Sequence, residues 1–339
     1  MIVTNSLTGG GAERSMNLVA NELTRRGWSV KLVPINFGKA DLVVPLCEVV
    51  PLQRKWQSGA LDTAGAIYEF NKVVSRYDPE LIILNCDLPE LFGAILFSKR
   101  ILIAVEHVNR PWITRKILGR AIRRILRIRK VVWVAVSSHL TIWPGKQPPK
   151  AVLLNSILSI NPILKKEIVP TSRKAISRLV FIGRLTSQKR PDWLIEICKL
   201  TKLPGIIIGE GSMRLEMEEK IKIEKLPITF EGQVTDPWEV IKCGDVLIVP
   251  SEYEGDGLVV IEGLANRVPI LVADIPDFKR FNLPEHFYCQ NTKMFVDTIG
   301  EFSHKLEDLI PPPVIVESVL SQRSISQVGN AWETFLNSL

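Results

Sequence analysis

Two glutamates, Glu254 and Glu262, stand eight residues apart and enclose a glycine-containing turn. The turn follows Asp245–Val249, an apolar run typical of a buried strand, and it precedes a helical pattern that Pro269 ends. A strand, a glycine turn and a helix start form an anion site together, because free backbone N–H groups and the helix dipole point at one spot. Two carboxylates beside an anion site fit a ligand that has both phosphates and sugar hydroxyls.

Two basic residues, Arg184 and Lys189, follow a second predicted strand, Leu179–Ile182. At the carboxyl end of a parallel strand, a guanidinium fork and an ammonium charge suit a diphosphate, whereas on an isolated loop they would be an ordinary exposed pair. Further predicted strands end at Gly209 and Gly232 and would border the same cleft. The sequence has no Asp-x-Asp in a strand context and no zinc pattern, so we expect no metal ion and no cofactor.

The chain opens with a predicted strand, Met1–Asn5, then three glycines at 9–11, and then a predicted helix, Ala12–Arg26. This order is typical of the first part of a doubly wound α/β domain. It does not favour dinucleotide binding, because Arg14 stands where the GxGxxG pattern requires its last glycine and Asn36 stands where an acidic residue would bind ribose. A tight turn without a ligand is the alternative interpretation of the glycines.

A histidine, His107, directly follows the predicted strand Ile101–Glu106. Sheets of this kind bind ligands at the carboxyl ends of their strands, so His107 is a candidate catalytic residue. A purely structural histidine is the alternative.

Residues 110–130 contain nine basic residues and no acidic one, and apolar residues are interspersed at helical spacing. This pattern predicts a basic amphipathic helix, which is typical of a segment that lies on an anionic membrane surface. We expect lipid contacts from Arg120, Arg123, Arg124 and Arg127. An ordinary surface helix is the alternative, and nucleic acid is not expected because no aromatic platform or known binding module accompanies the charges.

The composition sets limits on the whole chain, which has 339 residues, a net charge of +7 and enough apolar content, 46%, for two domains with real cores. Its five cysteines are scattered, so we expect free thiols in a reducing compartment. No apolar run reaches the roughly 18 residues of a spanning helix, and the chain begins in a strand-like segment, so we expect neither a spanning helix nor a signal peptide. Loss of periodicity at 156–178 predicts a linker.

In their order along the chain, these motifs resemble those of GT-B glycosyltransferases of the retaining family 4 (glycosyl transferases group 1) type. The pieces that carry the resemblance are Gly9-Gly10-Gly11-Ala12-Glu13-Arg14, Glu106-His107-Val108-Asn109, Val134-Ala135-Val136-Ser137, Val180-Phe181-Ile182-Gly183-Arg184-Leu185, Lys189, Ile208-Gly209-Glu210-Gly211, Phe230-Glu231-Gly232 and the Glu-x7-Glu motif from Glu254 to Glu262. Each piece alone is weak or moderate, and their order and spacing together are specific.

The resemblance implies an α/β fold of the GT-B type, with two Rossmann-like, doubly wound parallel-sheet domains that face each other across a cleft. Residues 1–160 would form the acceptor-binding domain, and residues 175–313 would bind the nucleotide-sugar donor. A helix at 324–338 would cross back and pack on the first domain.

The resemblance also implies roles for particular residues. Contacts to the donor diphosphate are expected from Gly10, Gly11, Arg184, Lys189, Gly257, Leu258 and Val259. Glu262 would hold the ribose hydroxyls, Glu254 would contact the transferred sugar, and His107 would lie near the reacting carbon. Asp256 stands where the family often has an aromatic or other bulky residue, and we expect it to influence which sugar is accepted.

The function that the resemblance implies is retaining transfer of a hexosyl or N-acetylhexosaminyl group from a nucleotide-diphosphate sugar to a lipid-linked or polysaccharide acceptor. The product would be a cell-surface glycan such as capsule, O-antigen or lipopolysaccharide, made by a cytoplasmic enzyme that is peripheral on the inner face of the cell membrane. A nucleotide-sugar epimerase with the same architecture is the nearest alternative. An NAD-linked dehydrogenase and a non-catalytic membrane-surface protein are more distant ones.

Overall fold

The computed structural model describes residues 1–7, 10–36, 44–55, 59–153, 175–234 and 236–339 of the protein. The chain divides into two compact units. Unit 1 comprises Met1–Ile157 together with Gln322–Leu339, and unit 2 comprises Leu158–Ser321. The predicted linker at 156–178 lies outside the described residues as far as residue 174.

Unit 1 is built on a seven-stranded sheet in which all neighbouring strands of the described chain are parallel. The strands are β1 (Ile2–Thr4), β2 (Lys31–Pro34), β3 (Glu48–Val49), β4 (Leu81–Asn85), β5 (Ile101–Glu106), β6 (Val132–Ala135) and β7 (Ala151–Val152). The helices between them are α1 (Gly11–Arg25), α2 (Ala60–Tyr77), α3 (Asp87–Ala94) and α4 (Lys116–Ile128). The strand order across the sheet is β3-β2-β1-β4-β5-β6-β7.

Both faces of this sheet are covered by apolar side chains, because its strands are nearly continuous apolar runs. On one face, Met16 and Val19 of α1 pack with Val328 and Trp332 of the last helix of the chain, Ile325–Asn337. On the other face, α2, α3 and α4 supply a second core. The last helix is therefore part of unit 1, although unit 2 separates it from the rest of that unit in the sequence.

Unit 2 repeats the plan with a six-stranded parallel sheet. Its strands are β8 (Arg178–Ile182), β9 (Gly205–Ile208), β10 (Ile228–Gly232), β11 (Asp245–Val249), β12 (Ile270–Ala273) and β13 (Tyr288–Cys289). Its helices are α5 (Pro191–Thr201), α6 (Arg214–Glu224), α7 (Leu258–Ala265), α8 (Pro276–Lys279), α9 (Thr292–Glu301) and α10 (Pro313–Ser321), which makes the last helix of the chain α11. The strand order is β10-β9-β8-β11-β12-β13.

In each sheet the strand order reverses at one point, between β1 and β4 in unit 1 and between β8 and β11 in unit 2. This is the order of a doubly wound, Rossmann-like sheet, so the predicted fold class is confirmed for both units. Ligands of such sheets bind outside the carboxyl ends of the strands at the reversal point. In unit 2, the segments that leave these two strand ends are Gly183–Lys189 and Pro250–Gly257, which hold most of the predicted donor site.

The loops that follow β8 and β9 approach so closely that glycine is required at Gly209. Its φ is +138°, and a Cβ there would overlap the carbonyl oxygen of Gly183, which itself has a φ of +154°. Backbone hydrogen bonds join the two loops, from Leu185 N to the Glu210 carbonyl at 2.9 Å and from Gly183 N to the Ile208 carbonyl at 3.0 Å. This close contact fixes the position of the predicted diphosphate-binding loop.

We therefore expect Gly209→Ala to destabilise the protein by about 2–4 kcal/mol, because the new methyl group meets backbone at a φ that side chains rarely adopt. Gly300→Ala is the matched control, since this glycine lies in α9 and a Cβ there has no neighbour within 4 Å. That control should be neutral or stabilising by up to about 1 kcal/mol. Urea unfolding of both variants measures the difference, and equal midpoints would contradict the close approach.

Candidate functional site

The helix α7 begins at the carboxyl end of β11, as the sequence pattern predicts. Gly257 precedes its first residue with a φ of +61°, and a Cβ there would lie 3.2 Å from the Phe278 ring. Leu258 and Val259 follow as the first helical residues, so their N–H groups lie at the positive end of the helix dipole. Glycine is thus favoured at the point where the chain turns into the helix.

An ion pair between Lys189 and Glu254 joins the two loops of this edge. Lys189 Nζ lies 2.5 Å from Glu254 Oε1, which also accepts a hydrogen bond of 2.7 Å from Ser251 Oγ. A backbone hydrogen bond of 2.8 Å from Glu252 N to the Gln188 carbonyl ties the loops together again. The side chains of Lys189 and Glu254 are only 16% and 8% exposed, so their attraction is screened less than that of a surface pair.

The second motif glutamate, Glu262, lies in the second turn of α7 and stays partly exposed. Its Oε2 accepts a hydrogen bond of 3.0 Å from the indole nitrogen of Trp238, whose ring is buried. The indole nitrogen is a donor only, so this contact fixes the direction of the carboxylate. Sequence reasoning missed Trp238, because a tryptophan in the short 3-10 helix Pro237–Val240 belongs to no recognised motif.

Asp256, the residue expected to influence sugar choice, is buried and paired with Arg280. Arg280 Nη2 donates to Asp256 Oδ1 at 2.9 Å and also to the Asp256 carbonyl oxygen. Close by, Asp277 of α8 accepts the backbone N–H of Glu254 at 2.8 Å. Asp277 in α8 and Arg280 directly after it therefore hold the loop that contains Glu254 and Asp256. Nothing in the sequence around Asp277 and Arg280 indicated that role.

Arg184 is placed differently from the other predicted donor residues. It follows β8 and its side chain is exposed, and among the described contacts none joins it to Lys189 or Glu254. The structure thus brings Lys189 and Glu254 into contact, places Asp256 and Glu262 on the same loop and helix, and leaves Arg184 at the solvent-exposed edge of this site.

In unit 1, the predicted glycines lie at the start of α1. Gly10 has extended backbone before the helix and its carbonyl accepts the N–H of Arg14 at 3.1 Å, and Gly11 is the first helical residue. Asn85 lies next to them, at the carboxyl end of β4. Its Nδ2 donates a hydrogen bond of 3.3 Å to the Ala12 carbonyl. The start of α1 and the end of β4 therefore share the reversal point of this sheet.

His107 lies at the same edge, partly buried, with its Nε2 2.6 Å from Asn85 Oδ1. Because Asn85 Nδ2 donates to Thr4 Oγ1 and to the Ala12 carbonyl, Asn85 Oδ1 is the acceptor and His107 Nε2 carries the proton. Burial lowers the pKa of His107 to about 4, so the ring is neutral at pH 7 and Nδ1 is its acceptor nitrogen. A neutral imidazole in this tautomer can accept a hydrogen bond from a hydroxyl group.

Arg123 was predicted to contact lipid, and that prediction is wrong, because its side chain is only 1% exposed. The guanidinium lies between two buried carboxylates, 2.5 Å from Glu90 Oε1 and 2.6 Å from Glu106 Oε2. On α4 it shares the buried face with Ile122 and Leu126, which pack on the sheet. The basic pattern of the sequence did not distinguish this inward arginine from its neighbours.

The charges of this buried cluster are balanced only in part, since one guanidinium faces two carboxylates. Burial alone would lower the pKa of Arg123, but the charges of Glu90 and Glu106 raise it above the ordinary value. Burial raises the pKa of Glu90 to about 7 and also raises that of Glu106, against the attraction of Arg123. Glu106 immediately precedes His107, so the cluster holds the strand end from which the histidine projects.

The other three arginines of the predicted lipid surface, Arg120, Arg124 and Arg127, are exposed. The helix itself is shorter than predicted, since it covers Lys116–Ile128 instead of 110–130. The first residues of the predicted span form a turn in which Trp112 has a φ of +54° and donates from its indole nitrogen to Glu90 at 2.7 Å. A positive φ is incompatible with a right-handed helix, so the helix begins after this residue.

Two further features are absent from the described part of the chain. There, no helix is both long and apolar enough to cross a membrane. In the same ranges, no three side chains among histidine, cysteine, aspartate and glutamate are grouped so that they could hold a metal ion.

Comparisons with known proteins place the fold in a class. Residues 176–310 match the family model of glycosyl transferases group 1. The crystal structure of the Anabaena protein HepE in complex with UDP and glucose covers 100% of this chain and 99% of its own, with a TM-score of 0.77 and 14% sequence identity. The protein therefore has the GT-B fold, and most of unit 2 matches the group 1 glycosyl transferases.

Proteins that are similar to this chain in sequence are also named as glycosyltransferases. The poly(ribitol-phosphate) α-N-acetylglucosaminyltransferase of Staphylococcus aureus is 23% identical over 203 residues, which cover 55% of this chain but only 40% of that protein. An uncharacterized glycosyltransferase of Haemophilus influenzae is 24% identical over 327 residues and 86% of each chain. These comparisons give no support to an epimerase.

The neutral state of His107 leads to a prediction for its titration. The protein has four histidines, so their imidazole C2–H signals can be followed by NMR, and His107→Gln identifies the signal of interest. We expect that signal to titrate near pH 4, far below the ordinary pKa of about 6.5. A midpoint above pH 6 would contradict the burial of the neutral ring.

The same shift has a consequence for stability. Because the folded pKa lies below the unfolded one, the stabilisation from neutral His107 is complete above about pH 6.5 and is lost as the pH falls towards 4. His107→Gln should therefore lose less stability between pH 7 and pH 4.5 than the native protein does. The exposed His304 supplies the control variant, His304→Gln, which should follow the native curve.

The buried cluster predicts very different effects for two adjacent arginines. Arg123→Met should destabilise the protein by about 3–5 kcal/mol, because it leaves Glu90 and Glu106 buried without their cation. Arg124→Met, on the exposed side of the same helix, should change stability by less than about 0.5 kcal/mol. Denaturant unfolding distinguishes the two, and equal effects would show that Arg123 does not hold the cluster together.

Proposed function

We propose that this protein is a retaining glycosyltransferase that uses a nucleotide-diphosphate sugar. The observation that carries the proposal is the Lys189–Glu254 ion pair beside the start of α7, in a unit that matches the group 1 glycosyl transferases. A cation and a carboxylate next to the positive end of a helix can bind a phosphate and a sugar hydroxyl side by side. UDP and glucose in the crystals of the Anabaena protein, which has the same fold, support a nucleotide-linked donor.

In this proposal the charge of the donor diphosphate is stabilised by side chains and by the start of α7. Lys189 provides a point charge and Arg184 a guanidinium fork, and the backbone N–H groups of Gly257, Leu258 and Val259 donate to the remaining oxygens. The exposed position of Arg184 suits a residue that reaches the ligand from the open side. These groups would oppose the negative charge that grows on the leaving phosphate.

The carboxylates are assigned to the hydroxyl groups of the donor. Glu262, fixed by the indole of Trp238, accepts from the ribose hydroxyls. Glu254 accepts from a hydroxyl group of the transferred sugar, and its ion pair with Lys189 fixes the position of the carboxylate. Asp256 adds a second acceptor on the sugar side, held in place by Arg280, and would contribute to the choice between hexosyl and N-acetylhexosaminyl donors.

The proposed reaction keeps the configuration at the anomeric carbon. The bond from that carbon to the phosphate oxygen breaks while the acceptor hydroxyl oxygen bonds to the same face, and the hydroxyl proton passes to the departing phosphate. Such a reaction requires mainly positioning and charge stabilisation from the protein. We assign His107 in unit 1 to the neighbourhood of the reacting carbon, with its neutral Nδ1 as an acceptor for a hydroxyl, and Gly10 and Gly11 to close backbone approach.

The proposed acceptor is a lipid-linked or polysaccharide glycan that unit 1 binds. The Staphylococcus aureus relative acts, by its name, on poly(ribitol-phosphate), and another relative from Escherichia coli acts on a diphosphoundecaprenol-linked sugar. These names support a polymeric or lipid-linked acceptor, and we assign the reaction to cell-surface glycan synthesis at the cytoplasmic face of the membrane. The exposed arginines of α4 fit such a location.

The function is tested by release of nucleotide diphosphate from a panel of UDP-, GDP- and dTDP-sugars. For the donor that the native protein turns over, Lys189→Ala and Glu262→Ala should each lower kcat/KM by about 10²-fold or more. Lys199→Ala is the matched control, because Lys199 lies near the carboxyl end of α5 and pairs with Glu224 of α6, whereas Lys189 precedes the start of α5. The control should stay within about twofold of the native protein.

The products of the same assay discriminate between the candidate reactions. A transferase gives a glycosylated acceptor with the anomeric configuration of the donor. An altered nucleotide sugar formed without acceptor would indicate an epimerase, and no turnover of any donor would contradict the proposal.

A further inference from the structure

The outer surface of α4 consists of two parallel stripes of different character. Ile117, Ile125 and Ile128 share one stripe, and they are 85%, 42% and 75% exposed. Their spacing of eight and three residues places them on one face of a helix. A single exposed isoleucine is ordinary, but three on one face of a helix form an apolar patch of the kind that marks an interaction surface.

The stripe beside it is basic. Lys116, Arg120, Arg124 and Arg127 follow each other at intervals of three or four residues, and all four are exposed. The inward face of the helix, with Ile122 and Leu126, packs on the sheet instead. The helix therefore presents apolar and cationic side chains together to the solvent.

A second segment extends this surface beyond the helix. Phe97, in the loop that precedes β5, is 87% exposed, and Ile95 beside it is 39% exposed. Arg129, directly after α4, donates to the carbonyl oxygens on either side of Phe97, at 2.7 Å to Leu96 and at 2.6 Å to Ser98. The loop that carries the phenylalanine is thus fastened to the end of the helix that carries Ile128.

The charged side chains of α4 and of the sequence around it are all basic. From His107 to Lys166 the chain contains no aspartate or glutamate. Among the described contacts of α4, the cation that pairs with carboxylates is Arg123, which is buried and does not contribute to the outer face. An exposed basic and apolar face without acids repels cationic surfaces and attracts anionic ones.

We propose that α4 and the Phe97 loop form one docking surface that inserts into the interface of an anionic lipid bilayer. In this arrangement Ile117, Ile125, Ile128 and Phe97 enter the boundary between headgroups and acyl chains. The basic stripe lies at the level of the lipid phosphates. Docking then depends on buried apolar area as well as on charge, which the basic sequence pattern by itself did not indicate.

The choice of a bilayer over other anionic partners follows from the apolar half of the surface. A nucleic acid or a polyanionic glycan would neutralise the arginines but would leave three isoleucines and a phenylalanine in water. A lipid interface accommodates both, because it offers phosphates and hydrocarbon within a few ångströms of each other. This inference rests on the proposed function in one respect, since a lipid-linked acceptor would give the docking its purpose.

The test is cosedimentation of the native protein with vesicles of phosphatidylglycerol and phosphatidylcholine, and with phosphatidylcholine alone, at low and high salt. We expect strong binding only to the anionic vesicles. Two variants separate the contributions of charge and apolar area. The first removes the positive charge and combines Arg120→Glu, Arg124→Glu and Arg127→Glu. The second removes apolar area and combines Ile117→Ser and Ile128→Ser. Both should weaken binding at least tenfold, but only the binding of the serine variant should remain salt-sensitive.

Two further variants sharpen the test. Phe97→Ser should also weaken binding, because the loop belongs to the same surface, whereas Leu215→Ser should not, although Leu215 is 80% exposed on α6 of unit 2. Vesicle binding that is unchanged in the isoleucine and phenylalanine variants would overturn the insertion. So would binding of a single-stranded RNA in place of vesicles, or self-association that these variants abolish.

Donor turnover without vesicles keeps this proposal separate from the proposed function. The surface variants should release nucleotide diphosphate at the native rate, because none of the substituted residues belongs to unit 2, which holds the proposed donor site. Vesicle binding without turnover of any donor would contradict the proposed glycosyltransferase function but not the docking surface. Donor turnover without vesicle binding would contradict the docking surface but not the proposed function.

Discussion

The ion pair between Lys189 and Glu254 is the contact on which the candidate site of unit 2 depends. Both charges are largely withdrawn from water, and such a position is tolerated only if each offsets the cost of burying the other. The pair also joins the loops that leave β8 and β11, the two strands at the reversal point of the sheet. Its position is therefore a consequence of strand order, and its chemistry a consequence of the helix start beside it.

Unit 1 is organised by a similar constraint with different chemistry. Arg123 is buried between Glu90 and Glu106 and so fixes α4 against α3 and β5. The end of β5 then carries His107, whose neutral ring is held by Asn85. The same rigid packing leaves the other side of α4 exposed, with its isoleucines and arginines available to a partner.

The sequence was most informative where a pattern has a single structural solution. Apolar runs such as Asp245–Val249 become buried parallel strands, and the turn at Gly257 favours glycine because its φ is positive. The pattern was least informative where contacts join distant segments. Arg123 and Arg124 have the same local character, and only the positions of Glu90 and Glu106 decide which one faces inward. Arg280 and Trp238 were missed for the same reason, since the residues that they hold are distant in sequence.

Calorimetric titration with the nucleoside diphosphate that the native protein binds best is the most direct test of the central claim, that Lys189 serves the phosphate and Glu254 the sugar. The account predicts that Lys189→Met weakens binding at least tenfold. Glu254→Gln should bind the nucleoside diphosphate as well as the native protein or better, because Lys189 is then released from its ion pair, while sugar transfer is lost. Equal loss of affinity in both variants, or unchanged affinity in Lys189→Met, would contradict this division of roles.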